Sequence, residues 1–240
     1  MGDAASTSER LVAIGAPDGL IEYAEGREDA EIQQACPRPE WFLWIVGATG
    51  TPMNDVLVIV CAWAELVAAE VPEGQALANY AIELAEEAAY GSTSAAQCLE
   101  VAERAEEAAA SAPATFRDLA PIGFESLARA SAWIARAAEG LIASRRRFEA
   151  IRMDHASRAA GYLGAGVNAF VGKEPPVRLL PFAVGSDPVQ AELVYVVAAM
   201  AEAASQLVQV RAAKRGDADD NLVARDAVLV LQELFAQRAA

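Results

Sequence analysis

The sequence predicts an all-α protein, built as a multi-helix bundle or helical array with one long irregular loop. The 240-residue chain is 54% hydrophobic and rich in alanine, the residue with the highest intrinsic helix propensity. Apolar residues recur at helical spacing between glycine and proline breaks, and no clear Asn-Gly or Asp-Gly hairpin signal is present. We expect a single domain over 1–240, which could subdivide into a main bundle (1–163), the irregular loop (164–187) and a C-terminal helical hairpin (188–240).

The N-terminal part predicts short helices. The first 35 residues are broken at 15–17 and at Gly26. A short, densely apolar helix is predicted to begin at Pro39 and to end before Gly47, because proline is favoured in the first turn of a helix and glycine just after its end.

The next helix should be the central one. It is predicted to begin near Asn54 or Asp55, either of which can cap it, and to end at about Glu70 before a proline. Apolar residues cover most of its circumference, so it should be buried on most sides. One apolar stripe along the helix consists of Val56, Val60, Trp63 and Val67. The residues that broaden this stripe are Leu57, Ile59 and Leu66.

Two alanine-rich helices follow, predicted from about Gln75 to Tyr90 and from Ser92 or Ser94 to about Ser111. Their inner faces should be small and apolar: Leu77, Ala81, Leu84 and Ala88 on the first, Cys98, Val101, Ala105 and Ala108 on the second. Their outer sides carry glutamates: Glu83, Glu86, Glu87, Glu100, Glu103, Glu106 and Glu107. The small inner faces would allow the two helices to pack closely.

One long helix, or two, is predicted from Phe124 to about Leu163, after interruptions at Pro113 and Pro121. Gly140 could mark a bend, although a single glycine costs only about 1 kcal/mol relative to alanine. The apolar face is predicted to run along the whole helix: Phe124, Leu127, Ile134, Ala138, Leu141, Phe148 and Ile151.

The stretch 164–187 has the least regular pattern, and we expect its apolar part, 177–184, to pack on the bundle. Two final helices are predicted, from Pro188 to about Lys214 and from about Ala218 onwards, with Arg215-Gly216-Asp217 as the turn between them. Their inward-facing residues should be Val189, Val196, Val197, Met200, Ala204 and Leu207, then Val223, Val230, Leu231 and Leu234.

Charge and composition narrow the function classes. A net charge of −15 argues against a nucleic-acid-binding surface and favours attraction to basic partners, although an acidic surface can also serve solubility alone. The longest apolar run, 56–64, is shorter than the roughly 20 residues that a membrane span needs, and no signal sequence is recognisable. Three unevenly spaced cysteines, Cys36, Cys61 and Cys98, indicate reduced, packed thiols. We therefore expect a cytoplasmic protein.

No catalytic, cofactor or metal site can be recognised in the sequence. His155 is the only histidine, and no serine or cysteine lies in a nucleophile elbow. The carboxylates lack the Glu-x-x-His pattern of di-iron bundles. The glycines of 161–166 follow a helix rather than a strand, which favours helix termination over phosphate binding. We therefore expect a protein that is not an enzyme.

Two groups of charged residues are candidates for binding a partner: the glutamates Glu83, Glu86, Glu87, Glu103 and Glu107, and the run Arg145, Arg146 and Arg147. The arginine guanidinium binds carboxylates and phosphates equally well. For the run of three arginines, ion pairing within the chain or between subunits is the favoured alternative to binding a partner. A third group, Trp41, Phe42, Trp44 and Trp63, could surround a planar ligand, but core packing is the more frequent role of such rings.

Residues 35–91 resemble a family of alanine-rich helical proteins that bacterial and phage genomes label immunity proteins. The stretches that carry the likeness are ACPRPEWFLWIVG, VLVIVCAWAELVAAEVPEG and AIELAEEAAYG. The matching positions are Cys36, Trp41, Trp44, Val71, Pro72, Ala81, Ile82, Glu83, Tyr90 and Gly91. The resemblance covers about a quarter of the chain and departs at 77–80, where the family has an Arg-Pro pair. It implies a helical protein that binds another protein.

Three functions are therefore expected, in decreasing order of preference. The first is a non-enzymatic acidic interaction protein of the immunity type, which binds and neutralises a protein partner such as a basic toxin. The second is a structural protein that assembles into a homo-oligomer. The third is an enzyme or small-ligand receptor that uses the loop at 161–187.

Overall fold

The computed structural model describes residues 6–115, 123–163, 188–215 and 220–239. Within these ranges the chain forms helices and no strand, which confirms the predicted all-α class. The helices are α1 (Thr7–Ala13), α2 (Asp18–Ala24), α3 (Asp29–Gln34), α4 (Pro39–Ala48), α5 (Met53–Ala68), α6 (Pro72–Tyr90), α7 (Ala95–Thr115), α8 (Phe124–Leu163), α9 (Pro188–Arg215) and α10 (Asp220–Ala239). The loop predicted at 164–187 and the turn residues Gly216 and Asp217 lie outside the described residues.

Helix α8 is one continuous helix of 40 residues, about 60 Å long at 1.5 Å per residue. It packs against α5, α6, α7 and α9, and α9 in turn packs against α4, α5 and α10. Gly140 does not mark a break in it. A Cβ atom there would lie 3.0 Å from Val196 and 3.1 Å from Tyr195, so this glycine allows α8 and α9 to approach each other closely.

Helix α5 is central, as predicted. It contacts α4, α6, α8, α9 and α10, and the stripe Val56, Val60, Trp63 and Val67 is fully buried. Leu66 was predicted to broaden that stripe, and this is wrong, because no other helix in the described ranges covers its side of α5 and the residue is 51% exposed. One core cluster joins residues from Leu11 in α1 to Leu231 in α10, so the C-terminal helices share the core of the N-terminal ones.

The inner faces predicted for α6, α7, α9 and α10 are confirmed in their main residues. On α6 and α7 all of them are buried except Leu77 and Ala108, which are half-buried. All six residues predicted to face inward on α9 are buried, and on α10 Val223 and Leu231 are buried while Val230 and Leu234 are partly buried.

Several predicted helix ends differ from the structure. Helix α5 begins directly after Pro52 without a side-chain cap, so neither Asn54 nor Asp55 has the capping role. Ser94 does cap α7: its Oγ accepts a hydrogen bond from the Gln97 backbone N–H at 3.3 Å. Helix α7 continues through Pro113 and ends at Thr115, beyond the end predicted near Ser111.

The C-terminal part of α8 departs from the predicted apolar face. Phe148 and Ile151 are 41% and 36% exposed, and every residue from Arg146 to Ile151 is exposed. The prediction that these two residues continue the buried face is wrong, because no other helix in the described part of the chain covers this side of α8.

Helix α9 combines high hydropathy with burial. Its segment Val189–Arg215 is long enough to cross a membrane and contains an 18-residue window with a mean hydropathy of 1.5, so it could span a membrane by length and composition. In the fold, 56% of that window is buried against the other helices, and a core helix of a globular protein passes the same test.

Candidate partner-binding surface

Helices α6 and α7 form the most acidic part of the described structure. Together they carry eight glutamates and one arginine, a net charge of −7. The two helices pack against each other, and both lie on α8. Their alanine-rich faces are buried there, so the glutamates are left on the outer side.

Four of the five predicted glutamates are exposed on this surface, which we call the acidic face: Glu83, Glu87, Glu103 and Glu107. None of the four forms an ion pair with another described residue. The fifth, Glu86, is half-buried. Unpaired carboxylates on one surface create a negative potential that attracts basic molecules.

One glutamate beside the acidic face is already neutralised. The Arg136 guanidinium of α8 donates two hydrogen bonds to Glu106 Oε1, from Nη2 at 2.6 Å and from Nε at 2.9 Å. The hydrogen bond to Glu106 is the main cause that raises the pKa of Arg136. An ion pair within the chain therefore accounts for Arg136.

Arg145 belongs to the helix framework rather than to a cationic surface. Its Nη1 donates to the Ala88 carbonyl and its Nη2 to the Ala89 carbonyl, each at 2.6 Å. These carbonyls lie in the last turn of α6, where backbone acceptors have no partner in their own helix and the helix dipole favours a cation. A tertiary contact of this kind has no local sequence pattern that could have revealed it.

The predicted arginine run does not form one patch. Arg147 pairs with Glu192 of α9, while Arg146 is exposed and forms no ion pair within the described ranges. Arg145 therefore contacts α6, Arg147 contacts α9 and Arg146 faces the solvent, because consecutive residues on a helix point about 100° apart.

The cysteines are free and buried, as predicted. Burial raises the pKa of Cys36 to about 12 and that of Cys98 to about 11, and it raises the pKa of Cys61 as well. Such thiols stay protonated near neutral pH and are poor nucleophiles. In the part of the chain that the structure describes, no group of three or more His, Cys, Asp or Glu residues could hold a metal ion. The side chain of His155 is not among the described ones.

The aromatic cluster divides between the core and the surface. Trp63 is fully buried, and Phe42 and Trp44 are 5% and 6% exposed, whereas Trp41 is half-buried. Trp41 and Trp44 line a cleft of about 310 Å³ between α4 and α9. Our sequence reading missed Glu202, which lines the same cleft, although a lone charge within the apolar pattern of α9 is a signal.

No family model matches the chain, and neither a curated protein nor a solved structure matches it.

Proposed function

We propose that this protein is a non-enzymatic interaction protein of the cytoplasm that binds and neutralises a basic protein partner. The observation that carries the proposal is the acidic face, with four exposed glutamates that no described residue pairs. The resemblance of residues 35–91 to immunity proteins supports the same class of function, since Glu83 lies in that segment.

Electrostatics favour a basic protein over other partners. The net charge of −15 would repel nucleic acids and anionic membranes at long range. Rows of carboxylates accelerate encounter with a basic partner and favour the correct partner over acidic competitors. The partner of an acidic face should therefore carry a complementary basic patch.

The test is affinity purification of the tagged protein from its own source cells with two matched variants. The face variant replaces Glu83, Glu87, Glu103 and Glu107 by glutamine. The control variant replaces four exposed glutamates elsewhere, Glu22, Glu25, Glu65 and Glu149, so both variants have a net charge of −11.

We expect the wild type and the control variant to retain one stoichiometric basic protein that the face variant loses. Binding should also fall at high salt, because the Debye length shrinks from about 10 Å at 0.1 M to about 3 Å at 1 M. Equal retention by all three proteins would contradict the acidic face as the binding surface.

Self-assembly is the second candidate, favoured by the exposed Phe148, Ile151 and Met153 on α8. Light scattering during size exclusion would show an oligomer of the purified chain without a partner. Replacing Phe148 and Ile151 by serine should then produce the monomer. A monomer at all concentrations would exclude this alternative.

A further inference from the structure

The cleft between α4 and α9 has the size and the walls of a site for one side chain. Its volume of about 310 Å³ lies at the lower end of the range of ligand sites. Trp41 and Trp44 of α4 line one side, and Ala198 and Ala201 of α9 line the other. These apolar walls can bury the methylene stem of a long side chain.

Two carboxylates make the cleft electronegative. Glu40 and Glu202 both line it, and Arg38 is the one cation among the lining residues that the structure describes. Arg38 is a weak partner, because its Nη1 lies 3.5 Å from Glu40 Oε1 and its side chain is 55% exposed. The described residues of the cleft therefore carry a net charge of −1.

The charge on Glu40 is incompletely stabilised within the chain. Burial is the main cause that raises its pKa; Glu202 raises it further, while a backbone hydrogen bond and Arg38 lower it. The Glu40 side chain is only 24% exposed, so water supplies little compensation. A second cation in the cleft would offset both the burial and the repulsion by Glu202.

The aromatic rings at the rim already contact guanidinium groups. Arg38 lies over the Trp41 ring at 5.3 Å, and Arg27 lies over the Tyr23 ring at 4.4 Å. The two rings are in contact, with their centroids 5.5 Å apart. Stacking of a planar cation on such rings is therefore compatible with the local geometry, and guanidinium stacks on aromatic faces better than ammonium does.

We propose that this cleft binds the side chain of an arginine presented by a segment of the basic partner protein. The methylene stem packs between the tryptophans and the alanines, and the guanidinium lies against Glu202 and Glu40. This inference rests on the proposed function for the identity of the partner. The cleft is a second contact, because α7 of the acidic face packs mainly on α6 and α8, not on α4 or α9.

The test uses nuclear magnetic resonance of the full chain labelled with ¹⁵N and needs no partner protein. The protein has four tryptophans, whose indole N–H signals can be assigned with single Trp→Phe variants. Trp41 and Trp44 line the cleft. Trp63 and Trp133 serve as internal references. The probe is the peptide acetyl-Gly-Arg-Gly-amide, and its matched control carries neutral citrulline in place of arginine.

We expect saturable shifts of the Trp41 and Trp44 signals with the arginine peptide, with a dissociation constant on the order of 1 mM for so small a ligand. The citrulline peptide should bind at least about tenfold more weakly, because it lacks the charge. Glu202→Gln should weaken binding by about threefold to fivefold, as an exposed ion pair does. Glu65→Gln, a change of the same charge away from the cleft, should leave binding unchanged.

Several outcomes would overturn this inference. The absence of shifts, or equal shifts with citrulline, would show that the cleft does not select a cation. Tighter binding of free arginine than of the peptide would identify a site for a free amino acid rather than for a protein segment. The face variant should bind the peptide like the wild type, so failure of the cleft and failure of the acidic face can be told apart.

Discussion

The hydrogen bonds of Arg145 give the sharpest test of how the helices are held together. We expect Arg145→Met to destabilise the protein, because methionine keeps much of the packing of the stem but cannot donate to the Ala88 and Ala89 carbonyls. The change therefore leaves two backbone acceptors at the end of α6 without their charged donor.

The size of the effect follows from the geometry. A hydrogen bond to a charged group contributes about 1.5–3 kcal/mol, and Arg145 makes two at 2.6 Å. Two features reduce the sum. Ala88 O also accepts from the Gly91 N–H at 3.2 Å, and Tyr90 next to Ala89 is 68% exposed, so water can reach this turn. We expect a total loss of about 2 kcal/mol, which corresponds to a fall in Tm of about 4–8 °C for a chain of this size.

Thermal and urea unfolding followed by circular dichroism would measure this loss. Arg146→Met is the matched control, because Arg146 is exposed one position along the same helix. It should change stability by less than about 0.5 kcal/mol. Arg145→Lys should retain part of the stability, since an ammonium group can reach one carbonyl but cannot span two as the guanidinium does. Equal stability of the Arg145→Met and Arg146→Met variants would refute the capping role.

Three further predictions concern charge, thiols and backbone. Because burial raises the pKa of Glu40, the folded state is penalised for its charge once pH rises above the unfolded value near 4.3. Glu40→Gln should therefore stabilise the protein at pH 7 more than at pH 4 in urea titrations, and an equal effect at both values would contradict the assignment. The thiols of Cys36, Cys61 and Cys98 should react with a thiol reagent such as DTNB only after unfolding. Fast reaction in the native protein would show that they are accessible. Gly123→Ala should cost more stability than Gly15→Ala in thermal unfolding. Both glycines have φ near +70° to +90°, so both substitutions carry a backbone strain of about 1–2 kcal/mol. Only a Cβ at Gly123 would also approach Val210, at 3.0 Å.

The fold was predictable where the sequence is long and periodic. The stripe of α5 and the face of α9 follow from helical spacing, which decides which residues share a side. Spacing does not tell how far the neighbouring helices extend, and this is why Leu66 and Phe148 are exposed although they match the apolar pattern. Helix ends were less predictable, because Pro52 precedes α5 without any side-chain cap.

The candidate surface was predictable only in part. The outward position of Glu103 and Glu107 follows from the helical repeat, because the opposite side of α7 is alanine-rich. The hydrogen bonds of Arg145 could not be predicted from the sequence, because their acceptors are backbone carbonyls 56 and 57 residues away. The cleft could not be read either, since it brings Glu40 and Glu202 together from two helices that are far apart in sequence.

The contact of α10 with α4 and α5 has a consequence for synthesis on the ribosome. Arg238 of α10 pairs with Asp55 of α5 across 183 residues, and Gln232 donates to the Gln33 carbonyl across 199. At about 5–20 residues per second, the ribosome needs about 8–30 s between completing α5 and starting α10. During that interval the most apolar helices of the nascent chain lack their final partners, so slower translation or lower temperature should change the fraction that aggregates when the protein is overproduced.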